Sequence, residues 1–277
     1  MKFKVSSQDH GMTLLAFLRE HYPDAPSVKA LKRAIDSKQC TINGRVETFS
    51  THKVKAGDEI VLILGESRSL KPEKIWEDEV LIAYNKPAGV VSEPKNFKGH
   101  LVHRLDKETS GIILVAKTEE ILDKMIELFR QKKVIKKYLA IVDGVVQKSE
   151  GKIVSNLAPK HRFQGQTIYG SSSHGQHGGQ HAETRFVKLR TAPKATLLEC
   201  YPITGRTHQL RVHLQEAGHP IVGDYQYARH FKCGYKAPRH LLHAAEISFP
   251  HPLTQKTITL TAPLPDDFEQ ALKALLL

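Results

Sequence analysis

Two short runs concentrate the side chains that could do chemistry. The first, His103-Arg104-Leu105-Asp106-Lys107-Glu108-Thr109-Ser110-Gly111, sets charges, hydroxyls and a glycine just before an apolar run, IILVA at 112–116. Loops that leave the end of a strand on a rigid sheet are favoured places for active groups. Taken alone, Asp106 reads equally as a loop residue making an Asx turn. It also pairs with Glu108, two residues on and on the same face of an extended segment, as a carboxylate-based hydrolase would require. The second run is Thr204-Gly205-Arg206-Thr207-His208-Gln209-Leu210-Arg211-Val212-His213. Thr207 is placed to cap a helix whose Leu210 and Leu214 face inward. Arg211 then lies beside the apolar stripe, and a partly buried guanidinium needs an anion, either a carboxylate or a phosphate. His174, His177 and His181 have a ligand-like spacing. They sit among glycines without Cys or an acidic cluster, which favours an exposed loop, so no metal site is expected.

The elements that must position these runs follow from periodicity. Residues 13–22 place Leu14, Leu15, Phe17 and Leu18 on a helical face. Ser27 is a candidate N-cap for a second helix over 28–38, with Leu31 and Ile35 inward and Lys29, Lys32 and Arg33 as a basic stripe. That stripe is either a solvated face or a contact for an anion. Asn43-Gly44 suits a hairpin turn, and a strand runs on through Leu64. Residues 65–75, polar and containing Pro72, read as a linker. Beyond it, a strand-rich segment from Trp76 includes the apolar run into the turn Lys86–Gly89, the strand 112–116, a helix over 119–131 and a strand over 138–142. Residues 159–182, rich in Gly, Ser, Gln and His, read as a loop or hairpin. Strands return at 184–190, 195–201, in LLHAAEISF and in KTITLTA. A final helix is framed by Asp266 and Glu269.

The chain has 277 residues, 40% of them hydrophobic, which excludes wholesale disorder. Its formal charge of +12 favours a polyanionic partner. The excess is spread: residues 1–75 carry 13 Lys+Arg against 9 Asp+Glu, and the remainder 28 against 20. Three cysteines, Cys40, Cys200 and Cys233, are far apart and lack metal spacing, which suits a reducing compartment. The start has no apolar signal core and no stretch is long enough to cross a membrane, so a cytoplasmic protein with no membrane partner is expected.

Two resemblances sharpen these readings. The helix–helix–strand–strand order, with INGRV and then GDEI, resembles the S-four RNA-binding domain, named after small-subunit ribosomal protein four, over about residues 11–64, which implies such a domain over 1–64. Val28 stands where that family usually carries Arg, and Thr13 where an acidic residue is frequent. In the remainder, HRLDKETSGIILVAKT, KKYLAIVDG, TGRTHQLRVHL, GHPIVGDYQY and LLHAAEISFPHP come in the order and spacing of the RluA-type pseudouridine synthases, and YNKPAGVV resembles that family's lead-in strand and turn. The resemblance implies an α+β catalytic domain over 76–277 with a mainly antiparallel central sheet and an RNA cleft. It implies isomerisation of uridine to pseudouridine, with no cofactor because no redox change or group donor is needed.

By the same resemblance Asp106 is the nucleophile, since a carboxylate can add covalently and leave again. Arg211 pairs with it, directing both of its oxygens through a planar fork. Tyr138 stacks beneath the uracil and is a candidate for taking the proton from the base carbon. Leu242 floors the pocket, Arg104 fills the place of a flipped nucleotide, and Arg206 and His208 flank the substrate. The segment from Gly89 to His103 is short for the family and 159–182 is long. The expected partner is RNA, ribosomal RNA ahead of transfer RNA, acted on by a monomer. An RNA-binding protein without catalysis is the alternative of another class, and the retained Asp106, Tyr138 and Arg211 argue against it.

Overall fold

The computed structural model describes residues 1–23, 25, 28–36, 39–63, 71–163, 166–172, 179–228 and 230–277, with the side chains of 29, 30, 33, 163 and 166 left aside. The chain forms two units, Met1–Leu70 and Lys71–Leu277.

In the first unit, β1 (Lys2–Lys4), α1 (Leu14–His21), α2 (Val28–Asp36), β2 (Cys40–Ile42), β3 (Arg45–Val46) and β4 (Glu59–Leu62) give an antiparallel sheet of order β1-β4-β2-β3. Thr13 starts α1 by accepting the Ala16 N–H on its hydroxyl. Leu14, Phe17 and Leu18 turn inward onto Leu31, Ile35, Ile60 and Leu62, a separate core. Ser27, the candidate cap of α2, lies outside the described residues, as do the side chains of Lys29 and Arg33. Lys32 is exposed.

The second unit is built on one large sheet from β5 (Glu73–Glu77), β6 (Leu81–Lys86), β7 (His100–Leu101), β8 (Ser110–Ala116), α3 (Glu119–Arg130), β9 (Ile135–Asp143), β10 (Glu150–Phe163), β11 (Gln166–Ser171), β12 (Gln180–Ala192), β13 (Ala195–Pro202), α4 (Gln209–Glu216), β14 (Leu242–Pro250), β15 (Thr257–Thr261) and α5 (Asp266–Leu275). The strand order is β11-β10-β12-β13-β9-β14-β8-β6-β5, with β15 against β14 and β7 against β8. All described pairings are antiparallel except the two-residue ladder between β8 and β14. The fold is therefore α+β with a mainly antiparallel central sheet.

The strand β8 is buried along its whole length. Its alternate residues serve opposite faces. Ile112, Leu114 and Ala116 join the core under α3, while Ile113 and Val115 pack with Tyr84, Phe97 and Leu105. Thr118 caps α3, and Ile121, Met125 and Leu128 supply its inner stripe. A strand starts at Glu73, earlier than the sequence reading placed it, because β5 is a polar edge in which only Ile75 and Trp76 pack against the core. The stretch 159–182 is not an open loop where it is described. Strands β10 and β11 pair from Leu157–Ser171 to Phe163–Gln166, and β12 begins at Gln180. Ladder hydrogen bonds hold a hairpin that carries little apolar pattern. His174 and His177 lie outside the described residues, and His181 is exposed on β12. Among the described residues no helix is long and apolar enough to cross a membrane.

Candidate active site

The Asp106 loop is fixed on every flank by neighbours that the fold brings to it. His103 accepts the Leu114 N–H on Nε2 at 3.0 Å, and burial pushes its pKa down to about 3, so it stays a neutral acceptor. The Ser92 hydroxyl donates to the Leu105 carbonyl at 2.9 Å and accepts the Leu105 N–H at 3.1 Å. Leu105 itself is buried, and embedding such a side chain contributes about 1.5–3 kcal/mol. After Asp106, the Lys107 carbonyl accepts from Gly89 N at 2.8 Å and from Lys86 Nζ at 3.1 Å. Lys86 is fully buried and also donates to the Pro87 and Val90 carbonyls. Burial pushes its pKa down to about 7. The loop then enters β8, whose second residue is Gly111, with a φ of +114° and a position where a Cβ would lie 2.2 Å from the Ala244 carbonyl. Only glycine allows β8 and β14 to meet there.

The second run forms α4, but Thr207 does not cap it. His208 holds the N-cap position in a left-handed conformation, φ 56°, with no side-chain cap. The buried Gln209 organises the turn instead. Its carbonyl accepts from the Thr204 hydroxyl at 2.6 Å and the Arg206 N–H at 3.0 Å, while its amide donates to the Glu183 carbonyl and the Thr184 hydroxyl. Leu210 and Leu214 face the core.

Arg211 is 5% exposed, and its fork is taken by Asp224. Nε donates to Oδ2 at 2.7 Å and Nη2 to Oδ1 at 2.8 Å. Nη2 also donates to Gln226, and Tyr227 places its ring 4.9 Å from the guanidinium carbon. Asp106 receives a single contact, Nη1 to Oδ2 at 3.3 Å. The expected fork onto Asp106 is therefore corrected. A guanidinium cannot chelate two carboxylates side-on with the same edge, and buried Asp224 holds the better one. Burial works against the charge on Arg211, but Asp224 and Asp106 outweigh it and raise its pKa further. Asp224 lies within GHPIVGDYQY, where nothing in the sequence sets it apart from an ordinary turn residue. It follows Gly223, whose φ of +82° and closeness to the Arg239 carbonyl fix the turn that aims it.

These elements line an open cleft with a cavity volume of about 100 Å³. Its lining includes Arg104, Asp106, Tyr138, Arg206, His208, Arg211 and Leu242, so all seven candidates of this unit meet there. Glu108 does not line it, which removes the paired-carboxylate arrangement. Among the described residues Asp106 is the one carboxylate in the lining. Tyr138 and Leu242 come from adjacent strands, in register Tyr138–Ala244 and Leu242–Ala140, and form an apolar wall. Burial, and then the charge of Asp106, raise the Tyr138 pKa above its ordinary value. Its resting form is a neutral phenol, suited to stacking and poorly suited to act as a base. Arg104 is exposed at the cleft, and Arg206 donates to the His181 carbonyl and the Gln180 side chain. Cys200, beside Tyr138 on β13, is buried with its thiol pushed up to about 12, so it is no nucleophile.

A profile of the RNA pseudouridylate synthase family matches residues 80–216. The chain is 32% identical to ribosomal large subunit pseudouridine synthase C of Vibrio vulnificus over 96% of its length and 93% of the relative's. It is 36% identical to the protein of the same name from Pasteurella multocida, over 76% and 70%. Among solved structures, human RNA pseudouridylate synthase domain containing 4 superposes with a TM-score of 0.62 at 27% identity, over 74% of this chain and 93% of that one. With a lone carboxylate, a buried arginine and an aromatic wall in one cleft, the chain belongs to the RluA-type RNA pseudouridine synthases, isomerases that convert uridine to pseudouridine in RNA.

Proposed function

We propose that the chain isomerises uridine in ribosomal RNA, with Asp106 as its nucleophile. The observation that carries this reading is the Asp106 carboxylate in a cleft walled by Tyr138 and Leu242 and met by one N–H of Arg211. A carboxylate oxygen bonds to the ribose C1′ as the C1′–N1 bond breaks, and the electron pair leaves with the uracil as its N1 anion. The base turns, C5 attacks C1′, and the carboxylate is expelled. The C5 proton, now acidic, passes to Asp106, and N1 takes a proton from solvent. Tyr138 stacks on the ring throughout, Leu242 shields it, and Arg104 occupies the space that the flipped nucleotide leaves. Arg206 and His208 flank the base. No cofactor enters this scheme.

The ribosomal substrate is favoured by the names of the relatives, which share nearly the whole chain, and by the S-four-like order of elements in residues 1–64. That domain grips phosphates, with Lys29, Lys32 and Arg33 as its candidate basic contacts. One copy carries both functions, so the reading is of a monomer, and a ribosomal substrate places it in the cytoplasm.

Asp106→Asn is expected to abolish tritium release from RNA carrying 5-tritiated uridine, in buffer with EDTA, while RNA affinity stays within about threefold because phosphate contacts dominate binding. Activity near wild type would end the mechanism. Removal of residues 1–70 is expected to weaken RNA binding and flatten its salt dependence while isomerisation persists at high RNA concentration. An unchanged binding curve across a salt titration would assign that unit another role.

A further inference from the structure

Next to the nucleophile lies a histidine whose proton position can be read from its neighbours. His208 Nδ1 is 2.8 Å from the Tyr227 hydroxyl. That same hydroxyl oxygen accepts the backbone N–H of Tyr169, in β11, at 3.1 Å. Among the described residues these are the two polar partners of the Tyr227 oxygen. One of them is a donor with no capacity to accept. Among the described residues the phenolic proton therefore has a single acceptor, Nδ1 of His208. An imidazole that accepts at Nδ1 carries its proton on Nε2. Nε2 is the nitrogen that faces the cleft, 3.9 Å from Asp106 Oδ2 and without a hydrogen-bond partner among the described residues.

The surroundings keep this arrangement in one state. Tyr169 and Tyr227 each meet the imidazole edge-on, with centroids 5.5 and 5.7 Å from it and planes at 73° and 88°. Gln226 donates to the Thr167 carbonyl at 3.4 Å, and Ser171 binds Glu216 of α4. Strand β11 is thus tied to the turn that carries Tyr227 and to α4, whose N-cap residue is His208. Burial of His208, and then the nearby charge of Arg211, lower its pKa in spite of Asp106 and Asp224. Burial pushes Tyr227 up to about 12, so its proton is retained.

We propose that His208 is a catalytic residue: a neutral N–H donor, fixed as the Nε2–H tautomer by Tyr227 and the Tyr169 backbone, that hydrogen-bonds a carbonyl oxygen of the uracil anion. This rests on the reaction proposed above and adds a function for the β10–β11 hairpin. When the C1′–N1 pair departs with the base, negative charge spreads over N1 and the flanking oxygens. A donor already aimed at the cleft stabilises that charge without reorganising. Its neutrality matters as much as its direction. An imidazolium, with a pKa of about 6.5, would transfer its proton to the more basic uracil anion. Protonated uracil would lose the nucleophilic character that C5 needs to attack C1′. A neutral imidazole holds the anion by a hydrogen bond and keeps its own proton. Tyr227 and Tyr169 are positioning residues, acting on the substrate only through His208.

The test has two arms on the full chain. Protein labelled with nitrogen-15 histidine is examined without RNA, with the His208 signals identified by their loss in His208→Leu. A pyrrole-type Nε2 and a pyridine-type Nδ1 are expected at neutral pH, and Tyr227→Phe is expected to give a mixture of tautomers. An Nδ1–H tautomer or an imidazolium in the wild-type protein would overturn the proposal. In the second arm, single-turnover tritium release is measured with enzyme in excess. His208→Leu is expected to slow it about 100-fold. His208→Gln, whose amide N–H reaches toward the place of Nε2, is expected to recover about tenfold of that loss. Both substitutions bear the same left-handed backbone, so equal rates for Gln and Leu would remove the donor role. Failure of the broader reading would show differently, as no tritium release by the wild-type enzyme whatever the tautomer.

Discussion

Two buried arginines converge on the Asp106 loop, and they differ in what their last N–H groups meet. Arg211 forks onto Asp224, gives Nη2 also to Gln226, and turns Nη1 toward the Asp106 carboxylate inside the cleft. Arg239 forks onto Asp267 of α5, with Nε to Oδ2 at 2.6 Å and Nη2 to Oδ1 at 2.9 Å. Its other N–H groups end on the carbonyls of Glu108, His240 and Leu242 and on the Ser110 hydroxyl. The same device, an arginine charge-balanced by a dedicated aspartate, is used once to hold a backbone and once to aim a donor at a reacting group. In both cases the dedicated aspartate makes burial of the guanidinium tolerable. What separates structure from chemistry is the remaining donor capacity.

Substituting each arginine by lysine breaks that comparison most directly. Arg211→Lys keeps a charge but offers a point donor on a flexible stem, which cannot satisfy Asp224 and direct Asp106 together. Misplacement of a reacting group by about 1 Å can cost about a hundredfold in rate, so single-turnover isomerisation is expected to fall by that order with RNA affinity little changed. Arg239→Lys leaves several carbonyls without donors and is expected to lower stability by about 2–3 kcal/mol in urea titration. Its turnover, measured below its unfolding transition, stays within about fivefold of wild type because the Asp106 contact with Arg211 survives. If Arg211→Lys bound RNA weakly yet reached a normal plateau rate, the guanidinium would be a phosphate contact. If Arg239→Lys slowed chemistry as much as Arg211→Lys, the two arginines would not be distinct in kind.

The comparison also marks what the sequence could convey. Asp106 and Arg211 stand out in the sequence because their neighbours are patterned, an apolar strand after the first and an amphipathic helix around the second. Patterning leaves each a structural alternative, and only the resemblance supplies their roles. Asp224 does not stand out, since an Asp after Gly in an irregular turn has the look of any turn residue. Lys86, in Asn-Lys-Pro-Ala-Gly, reads as a solvated turn lysine. Its burial depends on three carbonyls that only the folded loop brings together. The Tyr169–Tyr227 contact spans 58 residues and joins a polar hairpin to an irregular loop. Neither segment has a periodic signal, because backbone ladders and single hydrogen bonds hold them rather than an apolar stripe. The fork of Arg211 shows the same limit: resemblance named the pair, and only geometry showed which carboxylate takes the two strong bonds.

The smallest expected effect concerns pH on the Arg239 side. His243 is fully buried on β14. The Ser110 hydroxyl accepts from Arg239 Nη2 at 3.2 Å, so its own proton goes to His243 Nδ1 at 2.9 Å. Nε2–H then points at the Ala262 carbonyl at 3.4 Å. Every partner is matched while the ring is neutral. A second proton on Nδ1 would face a hydroxyl that is already donating and would stand near the Arg239 charge. Burial first, and Arg239 after it, push the His243 pKa down to about 4, outweighing Ala262 and Asp267. The folded value lies below the unfolded value of about 6.5, so the unfolded chain takes up this proton first as pH falls. Stability from the neutral ring is fully present above about pH 6.5 and is lost as pH drops toward about 4. His103 and His208 shift in the same direction but are common to any variant at 243, so their contribution cancels in a difference. The stability advantage of wild type over His243→Gln in urea titration is therefore expected to shrink by about 2 kcal/mol between pH 6.5 and pH 5. A difference that stays constant over that range would mean that the ring carries a proton in the folded protein already. The Ser110 hydroxyl would then have to turn away from Nδ1, and the backbone-holding role assigned to the Arg239 side would lose its hydrogen-bond logic.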